Sequence, residues 1–370
     1  MHMLARTVLS LLWACLVVAP IAVHAADAAK IGSMQQYRLE KAEQGFRLAL
    51  REAPVPTPGA REVVVRVRAA ALNRRDILVR NGQYGGADVS GIIPLSDGAG
   101  EVAATGAEVT RFKVSDRVAA IFFQNWISGK ANAGTAASAL GGSTDGVLSQ
   151  YVVLNEEGLV RFPDHLTFEE AATLPCAGVT AWNGLFTRGN LQAGEIVLLE
   201  GTGGVSIFGL QFAVAAGAKA LITSSSDAKL ERARQLGAWQ TLNYGTNAQW
   251  EKTALELTGG SGVDQVLEVG GESTLPKVLE ILAYDAHIAY IGGLSGWGAQ
   301  IPAAALPFRN VQVSGIYVGS RVDFEAMNQF IARHRLKPVI DKVFTFADAA
   351  AAYSYMESGN HFGKIVIALP

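Results

Sequence analysis

The residues Gly201-Thr202-Gly203-Gly204-Val205-Ser206 follow the apolar run "IVLLE" and lead into "IFGLQFAVAAGA". Between a strand and a helix, glycines at this spacing suit phosphate binding. Gly201 permits a tight turn, Gly203 lets backbone approach a pyrophosphate, and the third position, Ser206 here, keeps the helix close to its strand. Gly204 and Val205 open the helix, whose unpaired N–H groups and positive dipole end face the anion. The next apolar run ends in "ITSSSD". An NAD site usually carries an acid about 20 residues past the first glycine. Here that place falls near Ser224, at 224 − 201 = 23 residues on, and it is neutral. Ser224, Ser225 and Ser226 can donate hydrogen bonds to a 2′-phosphate and Lys229 can add charge, so the loop predicts NADP(H). A carboxylate there would oppose the phosphate by up to roughly 4 kcal/mol at intermediate dielectric. The other reading is that the serines only cap the helix "DAKLERARQL", which Asp227 could do alone.

The elements that hold this turn are visible as patterning. "IVLLE", "ALITS", "QTLNY", "VDQVLEV", "HIAYIGG" and "VQVSGIY" are apolar runs separated by helical segments, which predicts a doubly wound parallel α/β sheet. From Arg61 to Val118, short valine-rich runs broken by Gly and Asp predict compact antiparallel β structure. The tail "KPVIDKVFTFADAAAAYSYMESGNHFGKIVIAL" reads strand, helix, strand, and is expected to complete that first domain.

The 370 residues suffice for two domains, and 17% charged with 49% hydrophobic is the balance of an ordinary soluble protein. A net charge of -2 offers no basic stripe to nucleic acid. With two cysteines, Cys15 and Cys176, of which the first lies in a removable segment, no disulfide framework is expected. Arg6, an apolar run from Val8, a break at Pro20 and Val23-His24-Ala25 have the layout of a signal peptide cleaved after residue 25, hence export to the periplasm or beyond. A membrane anchor is disfavoured by Pro20 and the short run, and a lipid anchor at Cys15 by bulky Trp13. Translation from Met34, giving a cytoplasmic protein, is the alternative.

"AAALNRRDILVRNGQYG", "IPLSDGAGEV", "RFKVSDRVA", "ATLPCAGVTAWNGLF", "GTGGVS", "KLERARQLGA", "VDQVLEVGG" and "HFGKIVI" together resemble the medium-chain dehydrogenase/reductase superfamily over about Met34 to Leu369. The resemblance implies a GroES-like catalytic domain (34–160 and 338–370) wrapped around a Rossmann domain (161–337). Zinc-dependent members carry a cysteine where this chain has Asn73, a His-Glu pair where it has Ser96-Asp97, and a third ligand matching Cys176. A catalytic zinc needs about three protein ligands, and Cys176 alone survives. The four-cysteine structural lobe is also missing from "FFQNWISGKANAGTAASALGGSTDG". The chain is thus similar to the zinc-independent quinone and enoyl reductases, with no metal expected and Cys176 a small buried apolar residue.

Without a Lewis acid a saturated ketone is hard to polarise, whereas a quinone or conjugated enone delocalises the arriving charge itself. The resemblance matches Asn73 and Tyr84 to polar residues facing the nicotinamide, and a phenol can donate a hydrogen bond. Tyr84 as a rim aromatic without a chemical part is the other reading. Asp76 is expected to brace this segment. Of Arg74 and Arg75, one is assigned to a cofactor phosphate and the other to solvent. Thr180 and Val205 match positions touching the nicotinamide ring, Gly270 and Gly271 the place where backbone passes its ribose, and Gly292 opens a loop meeting the carboxamide. Lys364 is assigned to phosphate or, alternatively, to the solvated surface. His165, His287, His334 and His361 lack metal spacing and receive no role. A small-molecule substrate and a homodimer are implied. A metal-free alcohol dehydrogenase and an NADPH-binding protein without turnover are the rival readings.

Overall fold

The computed structural model describes residues 32–85 and 88–370, so the leader at 1–25 lies outside the described residues. The hairpin β1 (Ser33–Lys41) and β2 (Phe46–Pro54) precedes the first large sheet. That sheet is built on β3 (Glu62–Leu72), which is hydrogen-bonded antiparallel to β4 (Asp97–Thr105) and to β6 (Tyr151–Asn155). β5 (Arg117–Ala120) and β7 (Leu159–Arg161) extend it beyond β4. "EVVVRVRAAAL" is the central strand because its valines and alanines bury on both faces.

The tail returns to this sheet as the sequence predicts. β14 (Ile340–Thr345) and β15 (Lys364–Ala368) are parallel, joined across the helix Ala349–Glu357, and β15 runs antiparallel to β3. The register sets Ile365 against Leu72, which places Lys364 at the start of the segment containing Asn73.

β8 (Ile196–Glu200), β9 (Lys219–Ser224), β10 (Gln240–Asn243), β11 (Val263–Glu268), β12 (Leu282–Tyr290) and β13 (Gln312–Gly315) form the second sheet. All its pairs are parallel, in the order β10-β9-β8-β11-β12-β13. The order reverses between β8 and β11, so a crevice opens at their carboxyl ends, where such sheets bind ligands. The helix Gly204–Ala215 packs tightly on the sheet. A Cβ at Gly209 would stand 2.6 Å from a Leu267 methyl and 2.8 Å from a Leu199 methyl. Gly209 thus adds a second point of close approach beyond Ser206. Ser206 is buried and its hydroxyl donates to the Glu200 carbonyl at 2.6 Å, tying the turn to its strand.

Candidate active site

Gly201 has φ +70, a conformation that favours glycine, so the chain can reverse after β8. Gly203 is extended and precedes the helix Gly204–Ala215, with no side chain capping it. A Cβ at Gly201 or Gly203 would meet nothing within 4 Å among the described residues, whereas at Gly204 it would stand 2.7 Å from the Lys364 stem and 3.1 Å from Ala177. The cradle is open where an anion needs room and closed where protein packs, and this fits a dinucleotide pyrophosphate on the helix N-terminus. The turn is pinned to the other domain, since the Gly363 N–H donates to the Thr202 carbonyl at 2.9 Å. Val205 is half-buried at the helix start, and Thr180 is buried in the helical turn Val179–Trp182.

At the crevice two buried acids end β8 and β11. Glu200 Oε2 accepts from the N–H groups of Val269 and Gly270, both at 3.0 Å. Glu268 Oε1 accepts from the Gly271 N–H at 2.7 Å and the Thr274 hydroxyl at 2.6 Å. The remaining oxygens, Glu200 Oε1 and Glu268 Oε2, have no hydrogen-bond partner among the described residues. Burial, and then the Glu268 charge, push the Glu200 carboxyl well above its ordinary range. Gly271, at φ +86, lies close to the loop after β12, where a Cβ would stand 2.3 Å from the Gly296 carbonyl oxygen. Gly292 donates its N–H to the Glu268 carbonyl at 3.2 Å. Sequence reading assigned Glu200 no task, although an acid closing a buried apolar strand was a signal.

The serine loop is divided. Ser224 ends β9 buried, Ser225 is exposed, and Ser226 is the N-cap of Asp227–Gln235, accepting from the Lys229 N–H at 3.4 Å. Capping thus falls to Ser226, while Asp227 accepts from Asn243 at 2.7 Å. The Lys229 ammonium donates to the Gly359 carbonyl at 2.6 Å, a partner the phosphate assignment did not foresee.

Across the cleft, Asn73 is the N-cap of the helix Arg74–Arg80, and Asp76 braces it by accepting the Asn73 N–H at 2.8 Å. Lys364 corrects its assignment. Only 2% exposed, it is neither solvated nor turned to phosphate, because its ammonium donates to the Leu72 carbonyl and to Asn73 Oδ1, each at 2.5 Å. Asp97 is its ion-pair partner at 3.7 Å, and Asp97 also accepts from the Ser96 hydroxyl at 2.8 Å and the Cys176 N–H at 3.2 Å. Asn73, Ser96, Asp97 and Cys176 are therefore gathered in one place, with an ammonium beside them. Burial pushes the Cys176 thiol well above its ordinary value. Burial likewise raises Asp97, and raises Asp76 to about 6 against the pull of Arg75. Cys176 lies in a π-helical turn, Leu174–Gly178, a widening frequent at functional sites.

Arg74 is exposed, whereas Arg75 is buried, so neither solvent nor phosphate describes Arg75. Its guanidinium carbon stands 5.1 Å from the Tyr84 ring centroid and 4.8 Å from that of Phe122. The Tyr84 hydroxyl meets the Tyr317 hydroxyl at 2.9 Å, joining the two domains across the cleft. Burial raises the Tyr84 phenol far above its ordinary range, so it is a neutral hydrogen-bond donor.

The four histidines are scattered, as expected. His165 reaches the Leu336 carbonyl, His287 pairs with Gln265, His334 packs at a tilt against Phe330, and burial lowers His361 to about 4. Among the described residues no group of three or more His, Cys, Asp or Glu side chains is gathered to hold a metal, and no helix is long and apolar enough to cross a membrane. A surface depression of about 410 Å³ beside the β1–β2 hairpin, lined by Arg38, Glu40 and Arg51, lies away from this chemistry.

Comparison with known proteins agrees with this geometry. The family model of the alcohol dehydrogenase GroES-like domain matches residues 59–164, and that of the zinc-binding dehydrogenase matches 204–333. A zinc-type alcohol dehydrogenase-like protein of Schizosaccharomyces pombe is 44% identical over 83% of this chain and 91% of its own. A quinone oxidoreductase of Pseudomonas aeruginosa is 33% identical over 86% of this chain and 95% of its own. Among solved structures, an NAD-dependent alcohol dehydrogenase superposes with a TM-score of 0.81 at 32% identity, covering 90% of this chain and 100% of that one. A quinone oxidoreductase of Pseudomonas syringae gives 0.75 at 29% identity, covering 90% and 99%. The open phosphate turn, the six-stranded parallel sheet and the β-rich partner domain are thus those of an enzyme, and the chain belongs to the medium-chain dehydrogenase/reductase superfamily of NAD(P)-dependent oxidoreductases.

Proposed function

We propose that the protein is a metal-independent, NADPH-dependent reductase whose acceptor is a quinone or conjugated enone. The observation that carries this reading is the Lys364 ammonium, hydrogen-bonded to Asn73 and paired with Asp97 where zinc-dependent relatives gather their ligands. A lysine ammonium held there by hydrogen bonds opposes a dication, and neither an asparagine already engaged by that ammonium nor a serine supplies the ligands a catalytic zinc takes. When bound, the reduced nicotinamide supplies hydride. The chain's own residues then have three tasks. The turn from Gly201 to Ser206 holds the pyrophosphate. Gly270 and Gly271, fastened by the two carboxyls, and Gly292, held by the Glu268 backbone carbonyl, shape the ribose and carboxamide side. Tyr84 donates a hydrogen bond to the acceptor oxygen, on which charge appears. The serine loop, with exposed Ser225 and no carboxylate from Ser224 to Ser226, favours the 2′-phosphate of NADPH over a bare ribose.

The test is oxidation of NADPH and NADH with a panel of quinones, enones and ketones, with and without chelator, beside elemental analysis. NADPH-linked reduction of quinones or enones that survives chelator is expected. One zinc per chain with activity lost on its removal, or turnover confined to alcohols and ketones, overturns the reading in favour of an alcohol dehydrogenase. Export by the leader is part of the proposal. It predicts a mature chain beginning near Ala26, and full-length protein recovered from cytosol would contradict it.

A further inference from the structure

Arg75 has no task in the reaction as read so far. Its side chain is 7% exposed, held by Asp76 Oδ1 at 3.2 Å and the Leu140 carbonyl at 3.0 Å, with the Gly141 carbonyl at 3.5 Å. Its Nε has no partner among the described residues. A charge buried with one donor unpaired is costly to keep. This one is sandwiched between Phe122 and Tyr84, and Tyr84 is itself oriented by Tyr317, whose ring packs edge-on to Phe123 at 4.7 Å. The groups facing the guanidinium are Asp76 on its own helix, the Tyr84 phenol, and the Cys176 thiol from the opposite domain. Asp76 engages Nη1, on the helix side, while the guanidinium lies over the Tyr84 and Phe122 rings, so a ligand at Tyr84 meets the cationic side of the pair. Through the phenol ring and hydroxyl that field favours negative charge where a ligand oxygen meets Tyr84.

We propose that Arg75 is the charge-supplying positioning residue of the acceptor site, acting through Tyr84 to select ligands whose oxygen is, or becomes, an aryl or enolic oxyanion. The inference rests on the reductase reading above. In that reaction two electrons and a hydrogen nucleus reach the acceptor carbon as hydride from NADPH, leaving NADP⁺. That carbon is the conjugate carbon of the enone or quinone. Its C=C π electrons shift to form the new C=C next to the carbonyl, the carbonyl π electrons move to oxygen, and a solvent proton later neutralises the resulting enolic oxyanion, which in a quinone becomes aryl once the ring proton is lost to solvent. Arg75 stabilises the charge between those two events.

The probe is 4-nitrophenol, titrated by absorbance into the full chain saturated with NADP⁺. The bound dye is expected to ionise at least one pH unit below the free dye, a tenfold preference for phenolate. Arg75→Met should abolish the preference, Arg75→Lys should retain most of it, and Tyr84→Phe should weaken it. With enones of graded electron demand, Arg75→Met should lower turnover about tenfold to a hundredfold for electron-rich acceptors and less for electron-poor ones, with NADPH affinity unchanged. If Arg75→Met does not fold, Tyr84→Phe decides, and an undiminished phenolate preference there overturns the proposal. A dye that does not bind, binds equally as phenol, or keeps its preference in Arg75→Met also overturns it. Failure of the reductase reading looks different: NADPH is not consumed by the acceptor panel, yet the dye is still bound as phenolate.

Discussion

At the carboxyl ends of β8 and β11 the molecule meets charge with backbone: an uncapped helix N-terminus, an open glycine turn, and carboxyls that fasten the N–H groups of Val269, Gly270 and Gly271. On the other side of the cleft it meets charge with buried side chains, where Arg75, Asp76, Asp97 and Lys364 are all nearly inaccessible. Backbone recognition tolerates change in the side chains around it, because the donors remain when a neighbour is altered. A buried quartet of two cations and two carboxylates is interdependent, since deleting one member leaves its partner charged and dry. The glycine side should therefore accept substitutions that shift specificity, while the charged side answers them with lost stability or lost turnover.

The largest effect should come from Lys364→Met. It strands the Asp97 carboxylate, and breaking a buried pair typically costs about 3–5 kcal/mol, which chemical denaturation would measure. Adding Asp97→Asn should recover part of the loss. An unchanged denaturation midpoint in the single variant would mean that the quartet is not interdependent. Tyr84→Phe, which keeps the packing and removes the donor, should leave stability and NADPH affinity alone while lowering turnover by about 10². Steady-state kinetics with unaltered turnover would reduce Tyr84 to a rim aromatic. On the backbone side, Ser224→Asp should fold normally and move the ratio of kcat/KM with NADPH to that with NADH by more than about tenfold toward NADH, for which roughly 1.4 kcal/mol suffices. A ratio that does not move would leave the serines as a helix cap.

The smallest effect concerns the acid pair. Glu200 is raised in the folded protein by burial and by Glu268. Between the ordinary carboxyl range near 4.5 and that raised value the folded state holds a proton the unfolded state has released. Stability therefore falls as pH rises through this window. Glu200→Gln removes the titration, so the melting temperature should rise on the order of one to a few degrees near neutral pH and change little at pH 4. Equal gains at both pH values would show that the carboxyl does not titrate there.

Much of the nucleotide half was legible because its signals are local. Apolar runs of strand length alternating with helices, and glycines spaced within six residues, act over one turn of chain, so the parallel sheet and the phosphate turn follow from short windows. Even there, the tight packing at Gly209 could not be read locally, because it depends on which leucines of β8 and β11 lie beneath it. Nor could short windows show that the Lys229 ammonium meets the Gly359 carbonyl, which is 130 residues away.

The amino-acid order alone pointed to the α/β architecture with its parallel sheet and to the dinucleotide turn, since both depend on residue type and near-neighbour spacing, whereas the expectation about zinc at Asn73, Ser96 and Asp97 came from the family resemblance. That order could not place Lys364 or Arg75. Lys364 reaches Asn73 across 291 residues, through the antiparallel register that sets Ile365 against Leu72. Arg75 and Tyr84 acquire their setting from Phe122 and from Tyr317, the latter 233 residues beyond Tyr84. A lysine or arginine carries the same charge on the surface or in the core, and burial depends on what the rest of the chain packs against it. The tertiary structure therefore decided which cations are desolvated, and with them where the cleft holds its charge.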